Sequence, residues 1–420
     1  MYQKTKLKNN FRVITAPMKE TKAITLYLVI KAGSRYEQKE ENGLSHFLEH
    51  LFFKGTKKRP DALSISRELD GIGASYNAFT AEEMTGFYIQ AEKSKFPKIV
   101  DVLFDIILNS RFAQKEIDKE RGVILQEMNM RQDTPMIYIF DLFKELLYGD
   151  TPLGRQVIGR PKIIKKIDRQ DFLRFLARLY SANRMVIAVA GAIDEKVKQT
   201  IIKYTQKIKS QPEILAEGFS ENQQKPKVYL FPKKTDQAHL ILGYKTISRH
   251  SEKRHIQEVL NVILGTSMSS RLFIELREKR GLCYHVSSDS WFFDDTGSLL
   301  VYAGVKINKI DQSVSLILKE FNDIKERGIR PDELNKAKDY LKGKMALKME
   351  SSFNKASFFA DQELLLSEIM TPEQELHEIG KVTSEAVKQF AKEIVRPQRL
   401  NLAVIGPYKD QKKFEALLKI

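Results

Sequence analysis

The chain has 420 residues, 42% of them hydrophobic and 10% aromatic, which is enough material for two or three packed domains. Ordinary glycine and proline counts, 21 and 13, exclude collagen-like and low-complexity classes, and the single cysteine, Cys283, excludes a disulfide framework within one chain and suits a reducing compartment. The net charge of +16 permits nucleic acid or an anionic membrane as partner, but the basic residues are spread along the chain and interleaved with acids, as in 115–121, so a solvated basic surface is the better reading.

The first ten residues are polar and basic, and no apolar segment of signal-peptide type follows them. The longest apolar runs, 23–30 and 185–190, fall far short of the roughly 18 residues a membrane span needs. A soluble, cytoplasmic protein with no membrane or nucleic-acid partner is expected. Residues 23–30, mostly β-branched and apolar, predict a strand. Helical spacing follows in 43–53 and 64–70, strand character in 85–90, and helical spacing again in 95–110. A charged helix is predicted over 113–130, with Ile117, Val123, Ile124 and Met128 as its apolar residues.

The chain repeats itself. Ile167-Asp168, Phe175 and the run Arg184–Gly191 recur as Val382-Thr383, Phe390 and Arg399–Gly406 at one offset of 215 residues. Each copy is a helix opened by a capping Asp or Thr, then a strand that ends in glycine. Tyr76–Thr80 and the strand and helix after it recur as Tyr284–Ser288 at an offset of 208. Between the copies, 210–226 is polar, carries two prolines and a glycine, and reads as a linker. The expected architecture is α+β: two homologous domains, 1–210 and 227–420, joined by a linker at 211–226, each a mostly antiparallel sheet covered by helices.

The sharpest chemical feature is His46-Phe47-Leu48-Glu49-His50. On a helix, positions i and i+4 share a face, so both imidazoles can address one ion. Neutral imidazole is a zinc ligand, and Glu49 between the two could take a proton from a water whose pKa the metal has lowered. The bland alternative is a helix whose histidines only pack and hydrogen-bond. The remaining histidines, His239, His250, His255, His285 and His377, form no comparable pair. A third ligand must come from elsewhere. Helix 113–130 offers Glu116, Glu120 and Glu127, of which Glu120 and Glu127 share a face, and spacing alone does not choose between them.

These residues resemble the inverted zinc motif of the pitrilysin family of metallopeptidases. The flanks Gly43-Leu44-Ser45 and Leu51–Thr56 agree, as does Arg121–Met128. The resemblance is greatest to the two-domain processing-peptidase branch, which includes the mitochondrial processing peptidase and its bacterial homologues. It implies one zinc per chain held by His46, His50 and Glu127, with Glu49 as general base and Glu120 supporting the ligands. It further implies that 75–80 is an edge strand to which an extended peptide adds, with Asn77, Ala78 and Phe79 in contact with substrate. In the second copy, Arg277 and Tyr284 resemble the family pair that holds a substrate carbonyl and donates to the developing oxyanion. One departure is that no long glycine-rich loop like that of the mitochondrial non-catalytic partner is evident, which argues against presequence recognition.

The implied function is a zinc metallo-endopeptidase acting on peptides or short unfolded segments. The rival is a scaffold of the kind found among core subunits of respiratory complexes, which keep the fold without the site. Such a scaffold has no need of His46, Glu49, His50, Glu127, Arg277 and Tyr284 together. Longer single-chain relatives carry four copies, with the zinc of the first facing the fourth. By that resemblance a two-copy chain forms a homodimer, its sites completed in trans within a closed chamber and 210–226 acting as a hinge.

Overall fold

The computed structural model describes residues 2–366 and 368–418. The sheet of the first half contains β1 (Gln3–Lys6), β2 (Arg12–Pro17), β3 (Ala23–Ile30), β4 (Ser75–Thr80), β5 (Thr85–Glu92) and β6 (Met185–Gly191), in the order β1-β2-β6-β3-β5-β4. The second contains β7 (Lys227–Pro232), β8 (Gln237–Thr246), β9 (Cys283–Phe292), β10 (Gly297–Lys306) and β11 (Leu400–Gly406), in the order β7-β11-β8-β10-β9. Without β1 the two orders are the same. Each sheet has one parallel pair, β2 with β6 and β7 with β11, and the other pairs are antiparallel. The chain is thus α+β with a repeated unit, as expected. The expected caps are also present: Asp168 accepts from the amides of Gln170 and Asp171, and Thr383 from that of Ala386.

Strand chemistry follows position. Central β3 and β6 are buried along nearly their whole length and read as continuous apolar runs. Edge strand β1 is the short, exposed tetrapeptide Gln-Lys-Thr-Lys, a sequence that discourages further pairing.

The two compact units are not the consecutive segments 1–210 and 227–420. The first comprises Met1–Asn129, Arg155–Glu217 and Ala346–Thr371, and the second Met130–Gly154, Gly218–Met345 and Pro372–Ile420. Each unit borrows one helix from the other half of the sequence. In the first unit, Ala356, Phe359, Ala360 and Leu364 of helix Ser352–Leu365 cover a sheet face made by Ile14, Tyr27, Val29, Val186 and Ala188. In the second, Ile139, Leu142, Phe143 and Leu147 of helix Pro135–Tyr148 cover Ile241, Leu300, Tyr302, Ala403 and Ile405. The opposite face of each sheet packs on helices from its own half. Polar contacts pin the first borrowed helix: Ser352 Oγ lies 2.8 Å from Thr25 Oγ1, and Tyr27 donates to Asp361 at 3.0 Å.

Segment 211–226 makes polar contacts within each unit. In the first unit Gln211 donates to Asn183 at 3.1 Å, and the carbonyls of Ile214 and Glu217 accept from Arg184 and Arg35 at 2.6 and 3.0 Å. In the second, the Phe219 amide donates to Asp295 at 2.6 Å, Glu221 pairs with Lys245 at 2.6 Å, and Gln223 donates to the Leu400 carbonyl at 3.0 Å. Only the step from Glu217 to Gly218 passes between the units here. Composition reports that a segment is polar, but main-chain carbonyls recruited by buried arginines leave no signature in it.

Candidate metal centre

The histidine helix is Leu44–Phe52. Leu44, Phe47, Leu48, Leu51 and Phe52 are buried at helical spacing, which leaves His46, Glu49 and His50 on the other side. Its start is held from outside. The N-cap is Gly43, at φ +95°, with no side chain to offer. In its place the buried Glu37 carboxylate accepts from the amides of Gly43 and Ser45 at 2.8 and 2.7 Å, and from Asn42 Nδ2 at 3.3 Å. A Cβ at Gly43 would come within 2.7 Å of the Gly159 Cα, so two backbones meet at this point. Burial pushes the Glu37 carboxyl up to about 7, against the pull of the hydrogen bonds it accepts.

The facing helix is Gln114–Asp133. Its buried stripe is Ile117, Glu120, Ile124 and Met128, whereas the apolar Val123 is 40% exposed. Glu120 occupies a core position, 2% exposed, and survives there because it is paired: Lys54 Nζ lies 2.9 Å and His50 Nδ1 3.3 Å from its oxygens. A proton on His50 Nδ1 facing Glu120 leaves the Nε2 lone pair free. Arg121 donates to the carbonyls of Ile164 and Ile167, the latter at 2.8 Å, and so ties this helix to the chain beside it.

Spacing left Glu116, Glu120 and Glu127 open as partners of the histidines, and the geometry separates them. His46 Nε2 and His50 Nε2 each lie 3.7 Å from Glu127 Oε2, and one ligand atom from each of the three residues falls within 4.8 Å of the others. A direct hydrogen bond needs a closer approach, but two metal bonds of about 2 Å reach about 4 Å. Two imidazole nitrogens and a carboxylate oxygen form a catalytic-type zinc donor set, and with the Glu120 support behind His50 the residues fit the ion. No other such group occurs among the described residues.

Glu49 projects beside this cluster and accepts from Thr80 Oγ1 at 2.7 Å. Burial, aided by the charge of Glu127, holds its carboxyl above the usual range, while Thr80 and His50 oppose the shift. Thr80 ends β4, an edge strand of the first sheet. Asn77 and Ala78 lie on that edge, the Asn77 side chain accepting from the Ala78 amide at 2.9 Å. The Phe79 side chain does not face the cluster. It stacks on Tyr27 at 6.3 Å on the opposite face of the sheet and covers Gly86, so this residue offers only its main chain at the edge.

In the second unit, Arg277 sits between two rings, 4.7 Å from the Phe273 centroid and 5.0 Å from that of Tyr284, so the expected pair is in contact. Tyr284 lies on edge strand β9 and is 77% exposed. Cys283 beside it is pushed by burial up to about 11, which keeps its thiol protonated. Glu37 and Thr80 were not singled out from the sequence. The missing side-chain cap at Gly43 was the one available signal that a remote anion serves this helix, and nothing in sequence spacing ties Thr80 to Glu49.

Repeated α+β units, the first carrying a His-x-x-Glu-His helix opposite a glutamate helix, define a peptidase-class scaffold. The family profile described as Insulinase (Peptidase family M16) matches residues 12–160, and that described as Peptidase M16 inactive domain matches residues 166–341. An uncharacterized zinc protease of Streptomyces coelicolor is 35% identical over 97% of this chain and 90% of its own length. An uncharacterized zinc protease of Bacillus subtilis is 32% identical over 97% and 98%. In fold, a protease from Helicobacter pylori matches with a TM-score of 0.91 at 23% identity, covering 97% of this chain and 99% of that one. The chain belongs to the insulinase family, peptidase family M16. No helix among the described residues is long and apolar enough to cross a membrane.

Proposed function

We propose that this chain is a cytoplasmic zinc endopeptidase that hydrolyses peptides or short unfolded segments, with one zinc per chain. The observation that carries the reading is the convergence of His46, His50 and Glu127 with Glu49 alongside. When bound there, zinc supplies Lewis-acid polarisation of the scissile carbonyl and acidifies water. The peptide adds to the free edge of β4 by main-chain pairing around Asn77 and Ala78, which orients it with little demand on its sequence. Glu49 takes a proton from the attacking water at its free oxygen and returns it to the leaving amine nitrogen. Its buried setting, which holds the carboxyl above the ordinary range, suits a group that must both accept and release a proton.

Arg277 binds a substrate carbonyl, and the Tyr284 hydroxyl donates to the oxyanion as it develops. Those two residues belong to the second unit, and the functional molecule is a homodimer in which a second copy supplies them, within a closed chamber that admits only short or unfolded chains. Cleavage of a quenched peptide before and after chelation, with zinc content measured on the same samples, tests the reading. Glu49→Gln is expected to keep its zinc and lose about two orders of magnitude or more in turnover. Turnover near that of the parent would move the base elsewhere, and a zinc-loaded parent with no hydrolysis of any peptide would favour the scaffold.

A further inference from the structure

The Glu49 carboxylate has two oxygens with different surroundings. One accepts from Thr80 Oγ1 at 2.7 Å, and the carboxylate makes no other hydrogen bond to the described residues. Thr80 is the last residue of β4, the strand at the edge of its sheet, and pairs with Thr85 across β5. Side chains alternate along β4. Tyr76 and Ala78 pack into the core on the side of the histidine helix, Phe79 packs on the opposite face, and Thr80 follows the first set toward Glu49. The same face of one short strand therefore packs under the histidine helix and holds its carboxylate.

We propose that Thr80 is the positioning residue for Glu49. Its hydroxyl fixes the carboxylate in one rotamer with a single oxygen open, and so sets the proton acceptor in a constant register with the edge where the peptide adds. This rests on the reading of Glu49 as the base and of β4 as the peptide edge. A glutamate side chain has three rotatable bonds, and without a partner it samples orientations in which neither oxygen points at the attacking water. Because Thr80 belongs to β4 itself, a peptide paired in the correct register has its scissile bond and the proton acceptor referred to the same strand. The threonine touches neither the reacting atoms nor the three metal-capable residues in this scheme. It acts through Glu49, on the chemical step and not on binding.

The test uses the full-length, zinc-loaded chain. Thr80→Val keeps the shape and β-branching that suit a strand and removes only the hydroxyl, and Thr80→Ser keeps the hydroxyl and removes the methyl. The expected result for Thr80→Val is a fall in kcat of about tenfold to a hundredfold, the worth of a hydrogen bond to a charged group, with KM and zinc content unchanged. Thr80→Ser should return kcat to within about threefold of the parent, because a donor remains within reach of the carboxylate. On a Glu49→Gln background, Thr80→Val should cost nothing further, since the group it positions is gone. Parent-like kcat in Thr80→Val would overturn the proposal. So would equal losses in the valine and serine variants, which would assign the effect to packing, or a full additional loss in the double variant. If Thr80→Val does not fold, Thr80→Ala takes its place against Thr80→Ser, since both lack the methyl and differ in the hydroxyl, and equal kcat in the two would overturn the proposal. Normal turnover in Glu49→Gln alone would instead refute the underlying reading, whatever Thr80 does.

Discussion

Replacing Glu37 by glutamine should change how the protein responds to pH more than it changes the shape of the site. Glu37 is fully buried at the head of the histidine helix, and its carboxyl is pushed from 4.5 up to about 7. The folded chain therefore holds this proton up to about pH 7, while the unfolded chain releases it near pH 4.5. Between those values the folded state binds more protons, so the contribution to stability is complete below pH 4.5 and is lost as pH rises through 7. A shift of that size corresponds to about 3 kcal/mol. Glutamine cannot ionise, yet its carbonyl oxygen can still accept from the amides of Gly43 and Ser45. The stability of Glu37→Gln relative to the parent should therefore rise by roughly 2–3 kcal/mol between pH 5 and pH 8. Urea titrations of both proteins at the two pH values, with chelator present, measure this as a difference of differences. Parallel pH dependence in the two proteins would refute the argument and would mean that Glu37 is ionised throughout, stabilised by its three donors and the helix N-terminus.

Three other outcomes are expected. His50→Ala should lower zinc content well below one per chain, and full occupancy in that variant would sink the assignment of ligands. Phe359→Ala, in the helix that covers the first sheet from the far half of the sequence, should cost about 3–5 kcal/mol, read from denaturation of the full chain, and a loss below about 1 kcal/mol would mean that this helix is not part of the cooperative core. Mixing inactive Glu49→Gln chains with inactive Tyr284→Phe chains should restore activity, because a mixed dimer completed in trans contains one intact site. No recovery after demonstrated subunit exchange would place Tyr284 in the same chain's site or outside it.

Much of this was readable from the residues. The helix carrying His46, Glu49 and His50, the repeat at offsets of 215 and 208, and the capping Asp168 and Thr383 are local patterns, and local patterns survive into the fold. What was not readable is non-local. Helices 135–148 and 352–365 each have an apolar face, but nothing local says which sheet that face will cover. A division at 211–226 separates each from the sheet it covers. The choice of Glu127 over Glu116 and Glu120 likewise depends on a crossing of two helices, as does the role of Glu120, whose charge is hidden inside an apolar stripe. Glu37 and Thr80 act by single contacts, to main-chain amides in one case and to one carboxylate oxygen in the other, and such contacts leave no period behind.

The borrowed helices also set a timetable for synthesis. When β6 leaves the ribosome, every strand of the first sheet exists, yet the face formed by Tyr27, Val29, Val186 and Ala188 has no cover until residues 352–365 are made. About 160 further residues, at about 5–20 per second, leave that apolar face bare for roughly 10–30 s in every nascent chain. A chain released early would expose that apolar face, which makes nascent chains of this protein candidates for capture by a chaperone that binds apolar strands.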